Sequence, residues 1–389
     1  MRRAMAAVRV LTILCAGVCM ASEVGKVWPA ERRTWKDPEF GQEITQWTQH
    51  ASGSHHLYFN IETFLDSDHA IIVSNRSGQP NYYRLNLNSG EMTQMTSEAG
   101  VSGSRIWHWP QRKTLWYLVG STFKEMNTQT LATRTIRTLE GLRPQAFTVT
   151  CDGRFLVFAV NKAEGGAKPG RLSTGPFAIY RLPIAGGEPV QISPDLGFMI
   201  GHLQASPTDP TRISYCWQHL LDSGSPGFAG NTPQRTWWIK IDGSEGGPLS
   251  VQDIGLHRTH EFWFPDGSRM GYSARYLWGP KKGQAFLGSF AADGSDNYMI
   301  PAPIGAAHTR MFRDLRHWVT DLWDGSVLAL VTLEGRRIGK VEKLFRHDSS
   351  WKGQPSHPHP QFHPEGRMVM FSTDKSGVPQ VYSVKLNLP

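Results

Sequence analysis

The sequence predicts an all-β fold, a seven-bladed β-propeller spanning residues 22–389, and three observations carry that reading. Long amphipathic helical patterns are absent; short runs of β-branched and aromatic residues recur instead, punctuated by Gly, Asp, Asn and Pro. These runs repeat. "TCDGRFLVFAV", "FPDGSRMGYSA", "LWDGSVLALVT" and "HPEGRMVMFST" each join a turn to an apolar strand, and "DSDHAIIVS", "PQRKTLWYLV" and "SPTDPTRISYC" are looser copies. Taking Asp68, Gln111, Asp152, Asp209, Asp266, Asp324 and Glu365 as the repeated turn position gives seven units spaced 41 to 58 residues apart. A basic period in the low forties, lengthened by insertions, is that of four-stranded propeller blades.

Residues 1–21 stand apart from this pattern. Arg2, Arg3 and Arg9 precede the apolar stretch "VLTILCAGVCMA", which ends in small residues and is too short to span a bilayer. That is the pattern of a cleaved secretory signal, which predicts a periplasmic or secreted protein with no membrane span. The formal charge of +8 includes those three arginines, and no cluster of Lys and Arg offers a nucleic-acid surface. Past the leader only Cys151 and Cys216 remain, as free thiols or as a disulfide. The next element, "QEITQWT", is an outer strand that closes the ring against the last blade.

In a propeller the repeated turn joins the innermost strand of a blade to the second, so the residues before it line the central channel. His202, His260, His317, His357 and His359 all precede their turn markers by 6 to 8 residues, and His55 and His56 by 13 and 12. A single such histidine is ordinarily a satisfied core residue. Five at one phase converge on one face of the axis. The insertions "NKAEGGAKPGRLSTG", "QHLLDSGSPGFAGNTPQ" and "RYLWGPKKGQ" follow second strands, which puts them around that same face, as walls of a binding funnel.

Four neutral donors stand out there: His317, Gln354, His357 and His359, the last between Pro358 and Pro360, which fix the backbone. Imidazoles without thiolates suit a borderline divalent ion such as Mn, Co, Ni or Zn, whose uncompensated charge attracts an anionic oxygen ligand. The spacing from His260 favours His308 as a ligand, whereas the phase before Asp324 favours His317. Phase selects His317 and leaves His308 at the rim, with "TRMFRDLR" as a loop insertion. His260 of "THEFWFPDG" and Arg235 of "RTWWIKIDG" supply a further imidazole and a guanidinium, while Glu261 is an isolated acid. A metal, a base and an Arg without a carboxylate pair fit β-elimination at a uronate. The metal neutralises the carboxylate, His260 removes the C5 proton and Arg235 holds developing charge or a carboxylate on two prongs. His55 and His202 are then substrate-binding residues, and the partner is an acidic oligosaccharide.

The blocks "SHHLYFN", "RTWWIKIDG", "THEFWFPDG", "HDSSWKG" and "QPSHPHPQFHPEG" resemble those of the oligogalacturonate lyases, the propeller enzymes of polysaccharide lyase family 22. The likeness runs over nearly all of residues 22–389. It implies Mn²⁺ held by Gln354, His357 and His359, with His260 as base and Arg235 as its partner, acting on oligogalacturonides. The alternative from another class is a non-catalytic periplasmic propeller that binds a protein or a glycan.

Overall fold

The computed structural model describes residues 23–162, 175–218, 235–302, 308–323 and 325–389. The leader read at 1–21 lies outside these residues, as do most of the insertions after Asn161 and Gln218. The described residues form seven antiparallel sheets, five with their strands in sequence order and two, the first and last blades, completed on the outside by strands from residues 27–46, and their helical content is one 3₁₀ turn, Gln354–Ser356. No helix among them is long and apolar enough to cross a membrane.

The fifth blade shows the pattern. Leu256–Trp263 lines the axis, and Arg269–Tyr276, Ala285–Ala291 and Tyr298–Ala302 follow outwards. Alternate side chains point to the two faces of each sheet, and both faces meet neighbouring blades, so the middle strands are buried almost throughout. Arg269–Tyr276 is an example: its exposed position is Arg275. Apolar clusters span one blade interface after another. One joins Val157 and Ile179 of the third blade to Ile213 and Ile239 of the fourth, and another joins Met370 and Val381 of the seventh to Ile72 and Tyr83 of the first.

Closure is by exchange of strands between the chain ends. Glu43–Gln46 pairs with Gln380–Lys385 as the outer strand of the last blade, as "QEITQWT" predicts, and Arg33–Lys36 adds a fifth strand outside it. Val27–Trp28 does the same for the first blade by pairing with Met92–Gln94. Cys151 and Cys216 are both free: Cys151 sits half-buried in a turn and Cys216 is buried in the strand Arg212–Trp217.

One turn marker falls in the wrong place. In the sixth blade the innermost strand is Thr309–Met311, the second is His317–Trp323 and the third is Val327–Glu334. Asp324 itself lies outside the described residues and falls in sequence after the second strand, so the inner turn is the one at Asp314. "TRMFRDLR" is the channel-lining strand with its turn, not a loop insertion.

Ile44, fully buried against Phe371 and Val384, is the apolar anchor of the closing strand. Ile44→Ala should destabilise the protein by about 2–5 kcal/mol in equilibrium denaturation. An unchanged midpoint would show that the ring does not rely on this strand.

Candidate metal centre and active site

The inner strands are not regular. In the fourth blade Gly201 pairs with Cys216 and Gln204 with Ser214, so His202 and Leu203 together oppose one residue of the second strand. In the fifth blade Thr259 pairs with Ser273 and Phe262 with Gly271, and the doubled pair is His260 and Glu261. Each is a β-bulge, and in each the first bulged residue is a histidine in the left-handed region, φ 43° at His202 and 54° at His260. His359 takes the same conformation, φ 45°, just before the inner strand of the seventh blade. Glycine ordinarily fills that backbone region, because a side chain there is strained. The extra residue also interrupts strict alternation, so consecutive residues His260 and Glu261 both contribute to one site.

His308, His357 and His359 converge, each offering a ring nitrogen, and these nitrogens all lie within 4.8 Å of one another. The His308 ring centroid is 4.2 Å from that of His359 and 5.5 Å from that of His357. Asp321 fixes His308 from behind: its carboxylate accepts from the His308 backbone N–H at 2.9 Å and lies 2.7 Å from Nδ1. This leaves Nε2 for the cluster, the arrangement that orients metal-binding imidazoles. His56 bridges Ser372 Oγ and the backbone carbonyl of His359, at 2.7 Å each, and so pins the loop that presents His359.

The donor set fits a divalent ion. His359 Nε2 and His357 Nδ1 are buried without a hydrogen-bond partner, a costly state for a polar atom unless something else satisfies it. Burial, with the neighbouring imidazoles, holds His308 and His359 well below the usual histidine range, and burial also lowers His357. All three are thus neutral near pH 7, as ligation requires. Phe59, fully buried, forms the floor, with its ring 5.3 to 6.3 Å from those of His202, His260, His308 and His359.

His260 stands beside this cluster, its ring 4.1 Å from His308 and its Nδ1 buried and unpartnered. Burial, then the neighbouring His308, His202 and Arg235, hold it well below the usual range. Next to it lies a charged group of a different kind. Glu261, 1 % exposed, accepts from Arg235 Nε at 2.6 Å and Nη2 at 3.3 Å and lies 2.7 Å from His202 Nδ1. Burial alone would raise the Glu261 carboxyl, but Arg235 and His202 hold it well below the carboxylate range. His202, Cys216 and Glu261 also come close enough to hold a cation, but the Arg235 guanidinium already occupies that carboxylate.

The structure therefore brings together His357, His359, His260, Arg235 and His202 as the sequence predicts. It places His55 and Gln354 at a small cleft beside His359, where Gln354 is exposed. Gly103 packs so tightly there that an added Cβ would lie 2.9 Å from the His55 ring. His317 is the exception. It opens the second strand of the sixth blade, with Nδ1 held 2.5 Å from Asp314, while His308 occupies the place predicted for it. His308 precedes Asp314 by six residues, the same phase as His260 before Asp266 and His359 before Glu365. The phase rule holds once the inner turn is correctly placed. Arg235 needs a second correction: the two-pronged fork expected to meet a carboxylate of the substrate is taken by Glu261. Sequence reading gave no role to Glu261, Tyr58 or Trp351, whose ring is 5.8 Å from that of His308 and 4.8 Å from that of His357.

No family model matches the chain. Two curated proteins are similar to it along nearly their whole lengths. They are the oligogalacturonide lyase of Pectobacterium atrosepticum, 22 % identical, and the oligogalacturonate lyase of Dickeya dadantii, 23 % identical, each match covering 93 % of this chain and 98 % of the relative. Among solved structures, an oligogalacturonate lyase in complex with manganese superposes with a TM-score of 0.82 at 24 % identity. The oligogalacturonate lyase of Vibrio parahaemolyticus gives 0.81 at 22 %. Both superpositions cover 93 % of this chain and 98 % of the other. The fold is theirs.

His308→Ala should abolish Mn²⁺ binding in a calorimetric titration, and His317→Ala should leave it unchanged. Asp321→Ala, which removes only the support behind His308, should weaken it by about 10–100-fold. Loss of binding in the His317 variant alone would contradict the geometry.

Proposed function

We propose that the protein is a manganese-dependent lyase that cleaves oligogalacturonides by β-elimination. The observation that carries the reading is the pairing of three neutral imidazoles whose free nitrogens share one space with a fourth buried, unpartnered imidazole, His260, beside them. Similarity to lyases along nearly the whole chain supports it. His308, His357 and His359 would hold the metal, with Gln354 at the rim of the same cleft. When bound, a divalent ion neutralises the carboxylate of the uronate and so makes the C5 proton removable.

The chain's own residues do the rest. His260, kept neutral by its surroundings, accepts the C5 proton as general base. Arg235 is a fixed positive charge behind it, locked to Glu261, and favours the negative charge that develops on the uronate. The electron pair of the C5–H bond becomes the C4=C5 double bond, and the glycosidic oxygen leaves C4. A binder without catalysis would have no use for an unpartnered base beside the metal ligands. The reading includes export, supported by the arginines and apolar run of residues 1–21; the exported protein's amino terminus should then fall near Ser22.

Purified protein with Mn²⁺ and digalacturonate should generate the ultraviolet absorbance of a C4=C5 unsaturated uronate. His260→Ala should retain metal and lose about 10²–10⁴-fold in turnover. A metal-loaded protein that yields no unsaturated product from any uronide would overturn the reading.

A further inference from the structure

An elimination needs a proton donor for the leaving oxygen as well as a base. We propose that the Tyr58 hydroxyl is that donor, backed by His202 and Glu261 as a proton-supplying chain; the inference rests on the lyase reading above. Tyr58 comes from the loop after the inner strand of the first blade, in "SHHLYFN", and stands at the meeting point of two cavities. One, of about 80 Å³, is the cleft of His55, Gln354 and His359. The other, of about 230 Å³, runs towards Gln145, His202 and Gln218. A uronate at the metal ligands and the sugar beyond it would occupy the two sides, so the bond between them passes Tyr58.

The hydroxyl is wired for the task. Tyr58 Oη lies 3.2 Å from His202 Nε2, and His202 Nδ1 lies 2.7 Å from the buried Glu261 carboxylate, which Arg235 keeps ionised. Burial opposes a charge on His202, but the Glu261 carboxylate, 2.7 Å from Nδ1, favours its imidazolium form. An imidazolium donates through both nitrogens, to Glu261 and to Tyr58 Oη. The hydroxyl's own proton is then left for the cleft. Tyr58 Oη has no other hydrogen-bond partner among the described residues, and the Tyr58 ring packs 4.8 Å from that of His359, beside the metal ligands.

The protons balance. His260 gains one from C5; Tyr58 gives one to the glycosidic oxygen as the C4–O bond breaks, and regains one from His202 Nε2. Water then returns the His260 proton to His202. The base and the group that recharges the acid have opposed environments, His260 among neutral imidazoles and His202 against the Glu261 carboxylate, which is how one site runs both halves of such a reaction.

The experiment compares leaving groups. Tyr58→Phe keeps the ring and its packing and removes only the hydroxyl. On digalacturonate it should lose about 10²–10⁴-fold in turnover, the usual effect of removing a general acid. On a galacturonate carrying fluoride at C4, a leaving group that departs without a proton, it should stay within a few-fold of wild type. His260→Ala should fail on both. Equal impairment of Tyr58→Phe on both substrates, through lost manganese or otherwise, would overturn the inference, as would full activity on digalacturonate. A wild-type protein inert on both would overturn the lyase reading itself.

Discussion

In the fourth and fifth blades the inner strand carries one residue more than its partner, the ladder slips and the backbone turns left-handed for a single residue. That residue is a histidine in each, His202 and His260, and at the seventh His359 has the same backbone without a paired bulge. A regular strand would alternate its side chains between the two faces of its sheet. The bulge instead lets neighbouring residues, His260 and Glu261, serve the same space. Strain of this kind persists only where packing over-determines it, and here the buried ring of Phe59 supplies that packing beneath the three left-handed imidazoles His202, His260 and His359.

The site is divided electrostatically. On one side stand imidazoles that burial keeps uncharged, suited to a metal and to a base. On the other, one buried carboxylate, Glu261, is compensated by Arg235 and His202. A lone buried carboxylate would shed its charge by protonation. Two cationic partners remove that option, so the three charged groups are carried into the interior together. The proximity of neutral His260 to charged His202, 5.9 Å between ring centroids, sets the two halves against each other.

Much of this was legible in the sequence. The turn motif counted the blades, "QEITQWT" marked the closure, and counting back from each turn found His202, His260 and His359. The same count failed at the sixth blade because "LWDGS" resembles the inner turns of the third, fifth and seventh blades while sitting one strand further out, whereas the true turn, "RDLR", lacks the glycine that those three share. That resemblance alone makes the phase before the turn favour His317 over His308. Bulges leave no mark in a period-two pattern, so Glu261 could not be seen to share a face with His260, and the fork of Arg235 looked free. Tyr58 lies far from its partners in sequence, 144 residues from His202, and nothing local connects them.

The central claim is that histidines at the axial ends of the sixth and seventh blades, His308, His357 and left-handed His359, gather one metal site beside the bulged base His260. Diffraction at the manganese absorption edge, from crystals grown with Mn²⁺, tests it directly. The account predicts a single anomalous peak among the imidazole nitrogens of His308, His357 and His359. A peak between His317 and Asp314, or at His202, Cys216 and Glu261, would contradict it.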